Sequence, residues 1–90
     1  MRQRTKHPAT ELTGSRLKQL RENVGITRRE LANLSKMDFT FIKKIELGVS
    51  DPSICTLDVL LRAMNLDLLN FFDIEYKQMF LKISEGCDFE

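Results

Sequence analysis

The 90-residue sequence lacks what most catalytic and metal chemistries require. It has one histidine, His7, near the start of the chain, and its four glycines form no phosphate-binding loop. No pair of metal ligands stands at a recognised spacing, and the carboxylates are scattered over expected surfaces. An enzyme, a metal site and a bound cofactor are therefore not expected. The two cysteines, Cys55 and Cys87, are too distant for a metal motif and too few for a disulfide framework, so reduced thiols are expected. No apolar run approaches the ~18 residues needed to cross a bilayer. The opening Met-Arg-Gln-Arg-Thr-Lys-His is basic, but no apolar stretch follows, which argues against a secretory leader. The expectation is a cytoplasmic protein with no membrane partner. There is no internal repeat, low-complexity tract or linker that would split the chain.

What is present suits one small domain. Hydrophobic residues make up 42% of the chain and charged residues 30%, enough for a modest core under a solvated surface. The net charge of +1 hides an uneven distribution. Residues 1–44 carry 11 Lys/Arg against 4 Asp/Glu, and residues 45–90 carry 3 against 9. Such asymmetry points to one half facing a polyanion, the alternative being an accident of surface composition.

Residues 1–10 show no apolar periodicity, carry Pro8, and read as a flexible basic arm. A first helix is predicted from Gly14 to Asn23, with Leu17, Leu20 and Val24 on one face and Gly25 as its stop. A second opens at Thr27-Arg28-Arg29-Glu30, a capping box in which hydroxyl and carboxylate satisfy each other's backbone amides. Leu31, Ala32 and Leu34 are expected inside, with an end near Ser35. A third starts at the N-cap Asp38 and ends at Gly48. Only Lys36 and Met37 separate these two helices, the spacing of a helix-turn-helix. After the Ser50-Asp51-Pro52-Ser53 turn, Leu57, Leu60, Leu61 and Met64 mark a fourth helix over Thr56 to Met64. Asp67 caps a short fifth, Leu68 to Phe72, and residues 73–83 are helix-compatible.

On a wheel of roughly 100° per residue, the third helix places Ile42, Ile45 and Glu46 on one side. Phe39, Thr40, Lys43, Lys44 and Leu47 spread over the other. Two isoleucines pinned to the core would leave a cationic face that fits a major groove about 12 Å wide. Phe39, Thr40 and Lys43 are the expected base contacts: lysine reaches guanine acceptors, threonine hydrogen-bonds a base edge, and the ring meets thymine methyls. Lys44, with Arg28 and Arg29 in the first turn of the second helix, is expected at phosphates. An ordinary solvated surface is the alternative for the lysines and arginines. For Phe39 and Phe41 the alternative is core packing, accepted for Phe41.

The ordered pieces Leu17-Lys-Gln-Leu-Arg-Glu22, Gly25-Ile26-Thr27, Glu30-Leu31-Ala32, Ile42-Lys43-Lys44-Ile45-Glu46-Leu47-Gly48, Pro52-Ser53 and Leu57 together resemble the helix-turn-helix domain of phage Cro proteins, lambda-type repressors and Xre regulators. The resemblance runs from Leu17 to Phe72. It implies an all-α, five-helix lambda-repressor-like domain over residues 11–73, with residues 74–90 a short helical extension. It also implies a transcriptional regulator that binds double-stranded DNA at a two-fold operator as a homodimer, with no small-molecule ligand. Arg21 and Glu46 match a structural ion pair of the family. Departures are Arg28 where glutamine is frequent, Lys36 in place of the turn glycine, Phe39 where arginine or glutamine reads a purine, and Asp51 in a phosphate-facing loop. The ending Leu69-Asn-Phe-Phe-Asp73 is similar to restriction-modification controller proteins, although phage repressors and antitoxins share the architecture.

Leu69, Phe72, Tyr76, Met79 and Phe80 form an apolar set that fits dimerisation or, equally, core packing. Two other functions stay open. One is an antitoxin-type module whose acidic half meets a protein partner. The other is RNA binding, disfavoured because Phe39 alone stands as an exposed aromatic for base stacking.

Overall fold

The computed structural model describes residues 7–84, with six helices among them: α1 Pro8–Val24, α2 Arg28–Ser35, α3 Phe39–Glu46, α4 Ile54–Ala63, α5 Leu68–Phe71 and α6 Ile74–Ser84. No strand occurs among the described residues. The architecture is all-α, as the periodicity predicts, with the extension forming a sixth helix.

Local chemistry places most boundaries. Thr27 and Glu30 complete the capping box of α2, with the Glu30 amide donating to Thr27 Oγ1 at 3.1 Å and the Thr27 amide to Glu30 Oε1 at 2.8 Å. Asp38 caps α3 through the Phe41 amide, and Asp67 caps α5 through the Asn70 amide. Gly25 ends α1 at φ 91°, and Lys36 ends α2 at φ 60°, a left-handed geometry that costs a side-chain-bearing residue about 1 kcal/mol.

The structure corrects four expectations. The arm is not irregular up to residue 10: α1 starts at Pro8, where the missing N–H costs nothing and the ring's φ already suits a helix. His7 Nδ1 accepts from the Ala9 amide, and Thr10 is already buried; residues 1–6 lie outside the described ones. Leu34 does not face inward but is 58% exposed, and Val24 is 44% exposed beyond the last core turn of α1. Helix α4 opens at Ile54, because Ser53 caps it by accepting from the Thr56 amide.

The core gathers Leu17 and Leu20 from α1, Leu31 and Ala32 from α2, Ile42 and Ile45 from α3, Leu57, Leu60 and Leu61 from α4, Met64, and Phe71 from α5. Helix α1 packs on α3, α5 and α6, while α2 packs on α3 and α4. The α1–α3 crossing is close. Gly14 faces the backbone carbonyls of Ile45 and Glu46, leaving no space for a β-carbon.

A second, polar centre joins α1 to the C-terminal helices. The Arg16 side chain is buried, and its five N–H donors meet five acceptors. Nε donates to the Phe71 carbonyl at 3.0 Å, and Nη2 to the Asn70 carbonyl at 2.8 Å and Asp73 Oδ1 at 2.7 Å. Nη1 reaches Gln19 and Glu75. Asp73 also accepts from the amides of Glu75 and Tyr76, opening α6. One guanidinium thus satisfies the last carbonyls of α5 and fixes the start of α6.

Candidate nucleic-acid interface

The α2–α3 unit is positioned from beneath. Ile42 and Ile45 are fully buried, and Glu46 beside them is 6% exposed. Glu46 is shared by two arginines from different helices. Arg21 of α1 donates Nε to Oε2 at 2.8 Å and Nη2 to Oε1 at 3.1 Å, and Arg28 of α2 donates Nε to Oε1 at 2.7 Å. Arg21 also donates to the Ile26 carbonyl at 2.8 Å, tying the α1–α2 turn to the same point. The hydrogen bonds to Glu46 hold the Arg21 guanidinium above its ordinary pKa despite burial. A carboxylate deep in the unit thus ties together α1, α2 and α3.

With Ile42, Ile45 and Glu46 turned inward, the opposite side of α3 faces solvent. Thr40, Lys43 and Lys44 are exposed, and Leu47 follows at 55%. Arg29 on α2 is also exposed. Among the described residues Lys43, Lys44 and Arg29 make no ion pair, so their charges remain available to an anion. Arg28 differs. Its Nε is committed to Glu46 and its side chain is 24% exposed, so a phosphate could take only its remaining N–H groups.

Phe39 is half-buried, packing against the core from the head of α3. Its outward face carries Arg29, whose Cζ lies 4.7 Å from the ring centroid. Both line an open cavity of about 610 Å³ with Lys18, Thr27 and Arg28, where the C-terminal part of α1 meets the starts of α2 and α3. Lys18 is a further cation at this cavity, and no motif in the sequence marks it. It follows Leu17 on the exposed side of α1, and only the packing shows that this side borders the α2–α3 unit.

The dimer candidates are dispersed in environment. Leu69 is 83% exposed and Phe72 48% exposed, whereas Tyr76 and Met79 are half-buried. Phe71, Phe72 and Tyr76 form an aromatic cluster with centroids 4.8 to 5.8 Å apart, and burial pushes the Tyr76 phenol above its ordinary pKa. The side chain of Phe80 lies outside the described ones. Among the described residues no group of His, Cys, Asp and Glu could hold a metal, and no helix is long and apolar enough to cross a membrane.

Residues 14–85 match the family described as a helix-turn-helix domain. Two curated relatives, the HTH-type transcriptional regulators PuuR of Escherichia coli (strain K12) and of Shigella flexneri, are each 37% identical to the chain over 59 residues. The match covers 66% of this chain and 32% of each relative, so the chain spans about a third of the relatives' length. With α2 and α3 joined by the three residues Lys36, Met37 and Asp38, and the family match running from α1 past the end of α6, the chain belongs to the helix-turn-helix family of DNA-binding domains.

Proposed function

We infer that this chain is a sequence-specific, DNA-binding transcriptional regulator that acts as a homodimer on a two-fold operator. The observation that carries the reading is the division of α3: Ile42, Ile45 and Glu46 are buried, while Thr40, Lys43 and Lys44 are exposed with both lysines unpaired among the described residues. Thr40 and Lys43 face base edges in the major groove, and Phe39 stands beside them at the head of the helix. Lys44, Arg29 and the free edge of Arg28 meet phosphates. The regulators among the relatives support a role in transcription. The expected setting is the cytoplasm, with no small-molecule ligand.

Selection of bound duplexes from a random DNA pool by the full chain tests the reading. The expected product is a palindromic motif whose half-sites lie about one helical turn apart. Enrichment of a non-palindromic motif would remove the two-fold operator, and failure to retain any duplex in dilute buffer would remove DNA binding. Sedimentation of a chain ending after Phe72 tests the role of α6 in dimerisation: unchanged dimers would rule α6 out.

The exposure of Leu69, Phe72 and Leu81 favours a second reading, a DNA-binding antitoxin-type module that covers this apolar surface with a partner protein. Co-purification of a second chain at equal stoichiometry would favour that reading over a simple homodimer.

A further inference from the structure

We propose that Phe39 is a positioning residue for Arg29: its ring is a platform that holds the Arg29 guanidinium ready for DNA, and Arg29 makes the contact. The inference rests on the DNA-binding reading above. Phe39 stands first in α3 directly after its cap Asp38, and Arg29 stands second in α2 after Thr27, so two helix starts bring the pair together. The partly buried ring packs against the core, which restricts its movement, and Arg29 Cζ lies over it at 4.7 Å from its centroid. A guanidinium stacked on a ring keeps its N–H edges free for oxygen acceptors. No carboxylate competes for them among the described residues. The pair lines the cavity that also receives Lys18, Arg28 and the carboxylate Glu22, so the oriented charge sits in a wall where basic side chains outnumber the one acidic group.

The physical gain is pre-organisation. A long, exposed arginine must be immobilised when it binds, and a surface that already restricts it lowers that cost. Half-buried and covered by Arg29, Phe39 presents little free ring to a thymine methyl, so its contribution passes through its neighbour.

The test is a double-mutant cycle in the full chain. Binding is measured to the duplex that the wild-type chain selects from a random pool, with thermal unfolding to confirm that each variant folds. Phe39→Leu, which keeps an apolar side chain without a ring, is expected to weaken binding about two- to tenfold, the cost of ordering one released side chain. Phe39→Tyr is expected to bind as the wild type does. In the Arg29→Ala background, Phe39→Leu is expected to add no further loss, and Arg29→Ala alone should lower the salt slope by about one contact. A Phe39→Leu penalty of the same size with and without Arg29 would overturn the platform role, placing Phe39 itself against DNA or in the support of α3. Wild-type binding with no effect of Arg29→Ala would also overturn it while leaving the DNA-binding reading intact. Absence of wild-type binding would remove both.

Discussion

Gly14 in α1 lies directly against the main-chain carbonyl of Ile45 in α3, and a β-carbon at residue 14 would overlap that oxygen and come within 3.0 Å of the Glu46 carbonyl. The obstacle is the backbone of a helix pinned to the core by Ile42 and Ile45, which cannot swing aside as a flexible side chain would. Gly14→Ala gains about 1 kcal/mol of helix propensity but forces the two helices apart. The expected net result is a loss of about 2 kcal/mol, seen as a fall in thermal midpoint of roughly 10 °C. A neutral or stabilising outcome would mean that the crossing can relax.

Glu46→Gln tests the shared carboxylate. The substitution removes the counter-charge of buried Arg21 and half-buried Arg28 together. Breaking a buried pair from one side costs about 3–5 kcal/mol, because the remaining charge is left without compensation. Urea denaturation should show that loss. Arg28→Ala, which leaves the Arg21–Glu46 pair in place, should cost much less.

The acid limb of stability should report on Asp73. Hydrogen bonds from backbone amides, Tyr76 first, and the Arg16 charge hold its carboxyl below the usual value of 3.8. A depressed carboxylate stabilises the fold fully above its unfolded pKa, and that contribution disappears as pH falls through the lower, folded value. Urea midpoints measured from neutral pH down to about pH 2 should therefore fall more steeply for the wild type than for Asp73→Asn, which carries no titrating group there. Parallel curves would remove Asp73 from the acid response.

Lys43→Ala separates reading from anchoring. Lys43 is exposed on the outward face of α3, and a base contact there is expected to contribute about 1–3 kcal/mol and to restrict the preferred sequence. The variant should bind its selected duplex more weakly and tolerate more substitutions at one operator position. Equal weakening across all duplexes would assign Lys43 to a phosphate instead.

Short-range chemistry was legible in the sequence, and long-range chemistry was not. Thr27 with Glu30, Asp38 and Asp67 announce helix starts because each cap closes on an amide three residues ahead. Pro8 was misleading, since the same ring that breaks a helix interior also suits a first turn. Arg16 could not be read as a hub because its acceptors at Asn70, Phe71, Asp73 and Glu75 meet it only after folding. A clue existed: Arg16 falls four residues from both Leu12 and Leu20, on a face that turns out to be buried. On α3, the wheel assigned Ile42 and Ile45 inward and the lysines outward, but one helix viewed alone cannot show that Arg29 of its neighbour would cover Phe39. Arg21 and Glu46 were legible only through the family resemblance, since nothing in their spacing links them.

The Lys36 turn carries a last consequence. Its left-handed backbone and the Met37 amide bond to the Ala32 carbonyl close α2 within the chain itself, and α3 is held from below by Ile42, Ile45 and Glu46. Thr40, Lys43 and Lys44 take no part in that support. Exchange of Thr40 and Lys43 should therefore leave the scaffold intact while altering which duplex it prefers, and exchange of Lys44 should change affinity alone, so sequence preference in such a chain can diverge between lineages without passing through unfolded intermediates.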